Sequence, residues 1–580
     1  MDHDRPDPVS PDALALLTAD TEVVTEALDR WAATKGAQRF LFDGDREVEW
    51  SYRQFADTTD SIAGNLAARG IVKGDRVSVF LEDSVTTILW MFGIWKAGAV
   101  YCPINPAYTQ SLLGYQIDDT APRLLVTEAT LVGRVAEVRS ALPDGLSVVV
   151  ATLDPAELPA PVGRLELLDG NLFLEPAAAP GIALGYADTA NIIYTSGTTG
   201  RSKGVLQSHR WMNQYTLPVR LLTSTDDVIY SDLPMFHVGA AMYNVARAAW
   251  AGASVAVWRK FSSSEFWSRI ESSGATIATL MGVMVPWLMN APARPDDHVN
   301  SLNKVHMQPL PHDHHEVAQR FGIDYITTGF GQTEAGLAML GLIEECAPGE
   351  GTPDSLYRGH SHEELNERLR SIGIPVIDGR TLHERGPMGG PSPFVEAAVH
   401  DPEDNPCPPG VPGELVLRPK APSVIADGYL GKPEYTVQAW RNLWFHTGDA
   451  VWRREDGMWF FLDRMGDRIR RRGENISSQH LEELVSDYPG VTLAAAMPIP
   501  SADGSEDDIA VFVQGDNIDA EVILDWARDN IPAFMCPRRI IVSDSLPTTP
   551  TGKIQRFKLR ERLLTEVISP EIDENETRIP

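Results

Sequence analysis

The stretch YTSGTTGRSKGV, residues 194–205, continues the apolar run NIIY. Its glycines let backbone N–H groups converge on an anion without obstruction by side chains. Its hydroxyl groups add hydrogen-bond donors, and its lysine adds a compact positive charge. The stretch therefore predicts a phosphate-binding turn after a strand, formed by Thr195, Ser196, Gly197, Thr198, Thr199, Gly200 and Lys203.

The spacing of this stretch differs from the P-loop pattern G-x-x-x-x-G-K-[ST], because Ser202 precedes the lysine and Gly204 follows it. The stretch on its own is also compatible with a flexible loop rich in Gly, Ser and Thr. Support for phosphate binding must therefore come from other parts of the chain.

Length and charge narrow the classes of protein. A chain of 580 residues exceeds the size of a single hydrophobic core, so we expect more than one domain. The formal net charge of -30 repels nucleic acid and anionic lipid across most of the surface, which disfavours a nucleic-acid function. An anionic ligand would need a local cluster of amides and cations, as the opening stretch provides.

Four scattered cysteines form neither a disulfide framework nor a CxxC metal site, which favours free thiols in a reducing compartment. The first residues, MDHDRPDPVSPD, are acidic and proline-rich, unlike a signal peptide. The apolar run TILWMFGIW ends at Lys96 and is far shorter than the roughly 20 residues that span a bilayer. We expect a cytoplasmic protein without a membrane span.

Apolar strand-like and helix-like segments alternate along the chain. RVSVFL (76–81) predicts a strand, residues 84–98 predict a buried helix, and ASVAVW (253–258) predicts another strand. This alternation predicts an α/β fold with parallel sheets. From about residue 485 the alternation restarts compactly, which predicts a small second domain of α+β or α/β type.

Four further segments carry residue types that suit a nucleotide. GFGQTEAG (329–336) places Glu334 among glycines, and a carboxylate beside phosphate oxygens suits Mg²⁺. WFHTGD ends in Asp449, which can accept hydrogen bonds from ribose hydroxyls. Arg464 opens a glycine-containing turn, and Lys553 follows the Pro/Gly turn PTTPTG.

These five segments, with WSYRQFA (50–56), KAGAVYCPINP (96–106), LPMFHVGA (233–240) and GELVLR (413–418), resemble in order the core motifs of the adenylate-forming superfamily. That superfamily includes acyl-CoA synthetases, peptide-synthetase adenylation domains and firefly luciferase. The resemblance implies a large N-terminal multi-sheet α/β domain over residues 1–465 and a small mobile C-terminal α+β domain over residues 466–580.

The resemblance also implies roles for individual residues. In such enzymes a carboxylate attacks the α-phosphorus of ATP, and a thiol then displaces AMP from the acyl-adenylate. Residues 195–203 would hold the β- and γ-phosphates, Thr333 the α-phosphate and Glu334 the metal. The remaining implied residues are Gly331 in the glycine-rich turn, Asp449 and Arg464 at the ribose, Gly473 at the pantetheine channel, His237 as a gate beside the acyl pocket, and Lys553 as the adenylation lysine.

Three features depart from the usual pattern of that superfamily. Gly466 stands at the expected hinge, where most relatives carry Asp or Lys. Arg472 precedes Gly473 where a second glycine is common, and Arg470–Arg472 would either attract CoA phosphates or form a solvated basic face. The segment KVHMQPLP (304–311) replaces small residues, and we expect His306, Met307 and Gln308 to bring side chains into the substrate space.

The resemblance implies an acyl pocket lined by small or apolar residues, which favours a hydrophobic carboxylic acid: Val238, Gly239, Ala240, Ala241, Met242, Thr328, Gly329, Gly336 and Leu337. ATP, Mg²⁺ and coenzyme A are the expected cofactors. A ligase that loads a separate acyl carrier protein is the close alternative, and a luciferase-like oxygenase or a catalytically silent nucleotide-binding module are the distant ones. The sequence leaves a monomer and a homodimer equally open. HDHH (312–315) predicts a polar loop rather than a metal site.

Overall fold

The computed structural model describes residues 15, 22–154, 165–195, 202–282, 284–465, 469–471, 474–476, 478–500, 507–531, 533, 535–548 and 554–563. These residues form two compact units. The first unit takes its residues from 1–196, 202–397 and 417–445, and the second from 398–416 and 446–580 together with 197–201.

The strands are, in chain order, β1 Arg39–Asp43, β2 Val48–Ser51, β3 Arg76–Phe80, β4 Val100–Pro103, β5 Leu124–Thr127, β6 Ser147–Val150, β7 Leu167–Asp169, β8 Thr189–Thr195, β9 Lys203–Ser208, β10 Val228–Ser231, β11 Ser254–Val257, β12 Ile277–Met281, β13 Lys304–Gln308, β14 Tyr325–Gln332, β15 Gly336–Glu344, β16 Val376–Asp378, β17 Pro387–Pro391, β18 Val395–His400, β19 Gly413–Pro419, β20 Gly428–Tyr429, β21 Phe445–Arg453, β22 Trp459–Arg464, β23 Ile469–Arg471, β24 Glu474–Ile476, β25 Val491–Pro500, β26 Asp507–Gly515 and β27 Arg539–Val542.

The α-helices are α1 Val24–Lys35, α2 Tyr52–Ala68, α3 Ser84–Lys96, α4 Gln110–Thr120, α5 Val132–Glu137, α6 His209–Arg220, α7 Arg247–Ala251, α8 Phe266–Ser273, α9 Met284–Met289, α10 His314–Phe321, α11 His362–Arg370, α12 Pro433–Ala439, α13 Ser478–Ser486, α14 Ala520–Asn530 and α15 Arg556–Arg562. A π-helix over Gly239–Ala246 runs directly into α7. Short 3₁₀ turns cover Arg139–Ala141, Gly170–Phe173, Gly379–Thr381 and Arg441–Leu443.

The first sheet of the first unit has the strand order β20-β9-β8-β4-β3-β5-β6-β7. Strands β3, β4, β5, β6 and β7 are parallel to their neighbours, and helices carry the chain between most of them. Helix α3 begins where the Asp83 carboxylate accepts a hydrogen bond from the Thr86 N–H, and it is buried on all sides after its first residue. The predicted strand at 76–81 and the predicted buried helix at 84–98 are therefore confirmed.

The second sheet of this unit has the order β17-β15-β14-β13-β12-β10-β11-β1-β2, with β16 beside β15. Strands β10, β12, β13 and β14 are parallel, so their carboxyl ends meet at one edge. In parallel α/β sheets this edge is where ligands bind. The edge is formed by the ends of these strands at Ser231, Met281, Gln308 and Gln332.

The second unit contains the adjacent strands β18-β19-β21-β22, the hairpin β23-β24 and the sheet β25-β26-β27. A hydrophobic core packs α13 and α14 against the last sheet, through Leu481, Val485, Ile509, Ile523 and Ala527. The predicted second domain of strands and helices is confirmed. The second unit also includes residues 446–465, N-terminal to the predicted boundary at 465/466, and that boundary stays a prediction.

Among the residues that the model describes, no helix has the length and apolar content needed to cross a membrane.

Candidate nucleotide and acyl site

Strands β8 and β9 bracket the predicted phosphate-binding turn. They are antiparallel, and Thr195 at the end of β8 pairs with Lys203 at the start of β9. Gly204 follows, and a β-carbon there would lie 2.8 Å from Ile192 and 3.1 Å from Tyr194, so the hairpin needs glycine at this point. The predicted strand before the turn is confirmed as β8, and residues 196–201 of the turn lie outside the described residues.

Two tyrosine rings hold the Lys203 ammonium. Its Nζ lies 5.3 Å from the ring centre of Tyr429 and 4.7 Å from that of Tyr435. The short strand β20 pairs with β9 and thereby places Tyr429 beside Lys203. A cation over two aromatic faces is attracted by both rings and keeps its charge near the turn.

Sequence reasoning missed both tyrosines. The available signal was local and weak: Tyr429 lies in DGYLG, between Gly428 and Gly431. Tyr435 gives no local signal, because it follows two residues of an ordinary helix start, Pro433 and Glu434. Their partner Lys203 is more than 200 residues away in the chain.

Glu334 lies just beyond the carboxyl end of β14. The Tyr429 hydroxyl donates to Glu334 Oε1 at 2.9 Å, so one tyrosine contacts both the predicted metal ligand and the predicted phosphate lysine. Burial, together with the charge of Glu334, raises the pKa of Tyr429 well above its ordinary value, which keeps the phenol protonated as a donor.

The backbone around Glu334 is held by three donors from other elements. The Glu334 carbonyl accepts from Trp211 Nε1 at 3.0 Å and from the Ala426 N–H at 2.8 Å. The neighbouring Thr333 carbonyl accepts from Gln207 Nε2 at 2.8 Å. At Gly331 a β-carbon would lie 3.1 Å from the Gly336 carbonyl, so the turn is tight.

The donor chemistry at Glu334 fits Mg²⁺, which prefers a carboxylate combined with phosphate oxygens and water. Within the described part of the chain, no group of three or more His, Cys, Asp or Glu side chains is arranged to hold a metal by itself. A metal at Glu334 would therefore take most of its ligands from the triphosphate and water rather than from the protein.

The carboxyl edge of the second sheet contains the unusual segment 304–311. His306 and Gln308 lie on one face of β13, while Met307 is fully buried in the core on the other face. The expectation that all three side chains enter the substrate space is wrong for Met307, because side chains alternate along a strand. The His306 ring contacts that of Tyr243 in the π-helix in a tilted arrangement, with ring centres 4.8 Å apart.

The expected acyl pocket needs a further correction. Thr328 turns away from the π-helix and donates to the Pro387 carbonyl at 3.3 Å, whereas its neighbour Thr327 contacts His306 Nδ1 at 3.0 Å. Ala240, Ala241 and Met242 are completely buried. His237 is partly exposed, its ring lies tilted against that of Phe236, and Val238 separates it from the π-helix; its role as a gate stays a prediction.

In the second unit, Asp449 and Arg464 lie opposite each other on the antiparallel strands β21 and β22. Arg464 Nε lies 2.9 Å from Asp449 Oδ1, and the Asp449 side chain is almost fully buried. The two predicted ribose-binding residues are thus brought together, and their contact with ribose stays a prediction. Arg471 was predicted either to attract CoA phosphates or to belong to a solvated basic face, and its Nη2 lies 3.4 Å from Asp508 Oδ1.

Several predicted residues lie outside the described residues: Ser196, Gly197, Thr198, Thr199, Gly200, Gly466, Arg472, Gly473 and Lys553. Five of the predicted residues of the first unit are described and lie on elements that are hydrogen-bonded or packed to one another: Thr195, Lys203, Gly331, Thr333 and Glu334.

The first unit combines a hairpin that carries Lys203 with the carboxylate of Glu334 at a sheet edge, an arrangement that suits an enzyme that binds a nucleotide. The chain belongs to the AMP-binding enzyme family, whose profile matches residues 28–430. The profile of the AMP-binding enzyme C-terminal domain matches residues 480–553. The resemblance to the adenylate-forming superfamily and the predicted fold class are confirmed by these matches.

Individual relatives extend over nearly the whole chain. A crotonobetaine/carnitine–CoA ligase of Salmonella agona (strain SL483) is 27% identical over 520 residues, which cover 88% of this chain and 93% of the relative. The anthranilate CoA ligase AuaEII, solved with anthranoyl-AMP, has a TM-score of 0.75 at 23% identity and covers 93% of this chain and 97% of its own. ATP-bound MatB from Rhodopseudomonas palustris has a TM-score of 0.73 at 23% identity, with 94% and 99% covered.

Proposed function

We propose that this chain is an AMP-forming acid–thiol ligase that adenylates a carboxylic acid with ATP and transfers the acyl group to coenzyme A. The observation that carries the proposal is the arrangement around Tyr429, whose ring lies under the Lys203 ammonium while its hydroxyl contacts the Glu334 carboxylate. A cation and a carboxylate that both contact one tyrosine side chain suit a complex of a metal with a triphosphate.

The activities named for similar proteins support the same reaction. The Salmonella relative is a CoA ligase, and two proteins of the same fold are an anthranilate CoA ligase with a bound acyl-adenylate and an ATP-bound MatB. Acyl-AMP and ATP are therefore ligands of proteins built on this fold. Coenzyme A as the acceptor in this chain, and Mg²⁺ as its metal, are part of the proposal.

The proposed reaction has two steps. In the first, a carboxylate oxygen of the acid forms a bond to the α-phosphorus of ATP, and the bond between that phosphorus and the pyrophosphate oxygen breaks. In the second, the CoA sulfur, as thiolate, forms a bond to the acyl carbon, and the carbon–oxygen bond to AMP breaks. Negative charge grows on phosphate oxygens in the first step, so fixed donors and cations should supply most of the rate enhancement.

We assign this charge stabilisation to residues of the chain. Lys203, held by its two tyrosines, would bind the outer phosphates together with the turn that begins at Thr195. Glu334 would hold Mg²⁺, which when bound neutralises phosphate charge and fixes the triphosphate. Thr333 would bind the α-phosphate. Asp449 and Arg464 would hold the ribose, and Lys553 would bridge the acid and the α-phosphate.

The cellular location is proposed from the state of the cysteines. The described cysteines, Cys102, Cys346, Cys407 and Cys536, are all free thiols, which favours a reducing cytoplasm.

An acyl carrier protein is the alternative acceptor of the acyl group, and product analysis with free CoA and with a holo-carrier separates the two acceptors. A luciferase-like oxygenase would consume oxygen, which the ligase reaction does not.

The test is pyrophosphate release from ATP with a library of carboxylic acids, with and without CoA. We expect acid-dependent release and, with CoA, an acyl-CoA product. The variant Lys553→Ala should lose adenylate formation while it still transfers a supplied acyl-adenylate to CoA, because this lysine serves only the first step. Equal loss of both steps would refute the assigned role of Lys553, and no pyrophosphate release with any acid would refute the ligase itself.

A further inference from the structure

The face of the second sheet that carries His306 ends in a half-buried glutamine. The register of parallel strands β12, β13 and β14 puts Thr279, His306 and Thr327 in one row. Two residues further along β13, Gln308 pairs with Met281 in the next row toward the carboxyl edge. Every residue of β13 is buried except Gln308, so this face of the sheet becomes accessible to solvent at the Gln308 side chain.

The π-helix Gly239–Ala246 covers the row that contains Thr279, His306 and Thr327. It leaves the row of Met281 and Gln308 uncovered. Asn244 Nδ2 donates to Ser231 Oγ at 3.1 Å, and Thr279 Oγ1 donates to Asn244 Oδ1 at 3.1 Å. After the π-helix, Arg247 Nε donates to Thr223 Oγ1, and Thr223 lies in the chain before the amino end of β10. The helix therefore runs from the carboxyl edge toward the amino edge, and its first turn at Gly239 shares the carboxyl edge with Gln308.

Hydrogen bonds to His306 fix the orientation of the Gln308 amide. His306 Nε2 lies 3.3 Å from Gln308 Oε1, and His306 Nδ1 lies 3.0 Å from Thr327 Oγ1. Burial lowers the pKa of His306 to about 4, so the ring is neutral and carries one N–H. Because the Gln308 carbonyl oxygen faces Nε2, we assign the N–H to Nε2 as the donor to that oxygen, and Nδ1 as the acceptor of the Thr327 hydroxyl. Gln308 then presents its amide N–H groups toward the edge.

We propose that Gln308 is a specificity-determining residue that donates a hydrogen bond to an uncharged oxygen on the tail of the acid. The inference rests on the proposed ligase function and deepens it: the substrate is a largely apolar carboxylic acid with a carbonyl or similar acceptor away from the reacting carboxylate. His306 is a positioning residue, since it acts through the Gln308 amide.

The acceptor is uncharged because the wall around it is neutral. His306 carries no charge at neutral pH, its neighbours in the row are threonines, and the buried Arg247, whose charge acts on His306, bonds to Thr223 toward the amino edge. A second carboxylate placed against such a wall would lose its hydration without gaining a cation. A ketone oxygen loses much less hydration and regains a hydrogen bond.

The test uses pairs of acids of nearly equal shape, with ATP and a pyrophosphate-release readout. The pairs are 4-acetylbenzoate with 4-isopropylbenzoate, and 5-oxohexanoate with 5-methylhexanoate. We expect wild-type kcat/KM to favour the oxo member by roughly tenfold, the ratio for one hydrogen bond plus the cost of leaving its partner unpaired. In Gln308→Leu this ratio should fall to about one, the value for an apolar wall that does not distinguish the pair. Adipate should be a poorer substrate than 5-oxohexanoate.

Two further variants separate the role of the amide from a general disturbance of the strand. His306→Phe keeps the ring against Tyr243 but loses the bond to the Gln308 carbonyl, so the ratio should fall partway toward one. Met307→Leu alters the other face of the same strand at nearly constant volume, and the ratio should stay at the wild-type value.

Several results would overturn the inference. They are an unchanged ratio in Gln308→Leu, a wild-type preference for the methyl members, and turnover of other library acids without turnover of any oxo acid. A rise in KM for ATP with an unchanged acid ratio would assign Gln308 to the nucleotide instead. All of these results are compatible with the ligase function. The absence of acid-dependent pyrophosphate release would overturn both the ligase function and the role of Gln308.

Discussion

Strand β14 runs between two carboxylates that have opposite surroundings. Asp324, just before the strand, is buried, and its oxygens accept from the Thr352 N–H at 3.1 Å and contact His362 Nε2 at 3.2 Å. Glu334, just after the strand, is half-buried and contacts the Tyr429 hydroxyl. The carboxylate at the amino end is enclosed by partners from the fold, and the one at the carboxyl end is partly open toward the predicted triphosphate.

The same contrast extends across the sheet. At the amino edge Lys304 Nζ lies 3.0 Å from Asp227 Oδ1 with both side chains buried, and the Thr276 hydroxyl donates to the same carboxylate at 2.7 Å. At the carboxyl edge the row through His306 is neutral and ends in the half-buried Gln308. The difference teaches that the charged groups at the amino edge are buried and paired with one another, whereas polar groups at the carboxyl edge are available to a ligand.

The largest effect is expected at the amino edge. Asp227→Ala leaves the Lys304 ammonium buried without its carboxylate, and we expect the free energy of unfolding of the first unit to fall by about 3–5 kcal/mol. The double variant Asp227→Leu with Lys304→Met removes both charges and should recover most of this loss. Urea unfolding of the three proteins measures the effect. A double variant as unstable as the single one would show that the pair itself stabilises the sheet.

The second effect is expected at the carboxyl edge and concerns activity. Glu334→Gln should lower kcat/KM for pyrophosphate release by at least about a hundredfold, because an amide is a poor ligand for Mg²⁺ and one transition-state contact of this kind contributes a few kcal/mol. Its unfolding free energy should stay within about 1 kcal/mol of the wild type, as for most partly exposed substitutions.

Asp324→Asn is the matched control on the same strand. It should lose stability through its contacts with His362 and Thr352 and keep its activity per folded molecule. Stability loss in Glu334→Gln, or activity loss in folded Asp324→Asn, would contradict the division between the two edges.

The smallest effect is expected for two histidines, the half-buried His362 and the buried His306. For His362, burial opposes the charged form, but hydrogen bonds to Asp324 and Glu344 raise its pKa above the ordinary value. Its contribution to stability is therefore complete below pH 6.5 and is lost as the pH rises through the raised folded-state pKa. Burial lowers the pKa of His306 to about 4, so its contribution is complete above pH 6.5 and is lost as the pH falls toward 4.

Urea unfolding at pH 5.5, 6.5 and 7.5 checks both signs. His306→Gln should remove roughly 1 kcal/mol of the stability difference between pH 5.5 and 7.5, as linkage predicts for a histidine with this pKa. His362→Gln should change the dependence of the unfolding free energy on pH in the opposite direction. If the two substitutions change this dependence in the same direction, the assignment of a neutral His306 is overturned.

Much of the site could be predicted from short segments. The glycines and Lys203 of the opening stretch, the carboxylate of Glu334 and the pair Asp449 and Arg464 are each recognisable, because turn chemistry and ligand chemistry depend on residues close together in the chain. Met307 was also within reach of a local rule, since three consecutive strand residues cannot face the same side. The expectation for all three side chains did not apply this rule, and residues 304–308 form the strand β13.

The partners of these residues could not be predicted, because strand pairing decides which distant residues become neighbours. His314 and His315 were expected in a polar loop, yet both begin α10 and contact the single carboxylate of Glu345, at 2.6 and 2.7 Å. Nothing near residue 312 indicates that carboxylate, which directly follows β15.

The sequence by itself determined the alternation of strands and helices, the glycine-rich turn and the family of the chain, because these depend on local periodicity and on the order of short motifs. Only the tertiary structure decided that Tyr429 joins Lys203 to Glu334 and that Gln308 stands at an open edge with its carbonyl held by His306. The physical reason is register: pairing between β9 and β20, and among β12, β13 and β14, sets which side chains share a face, and pairing is a property of strands far apart in the chain.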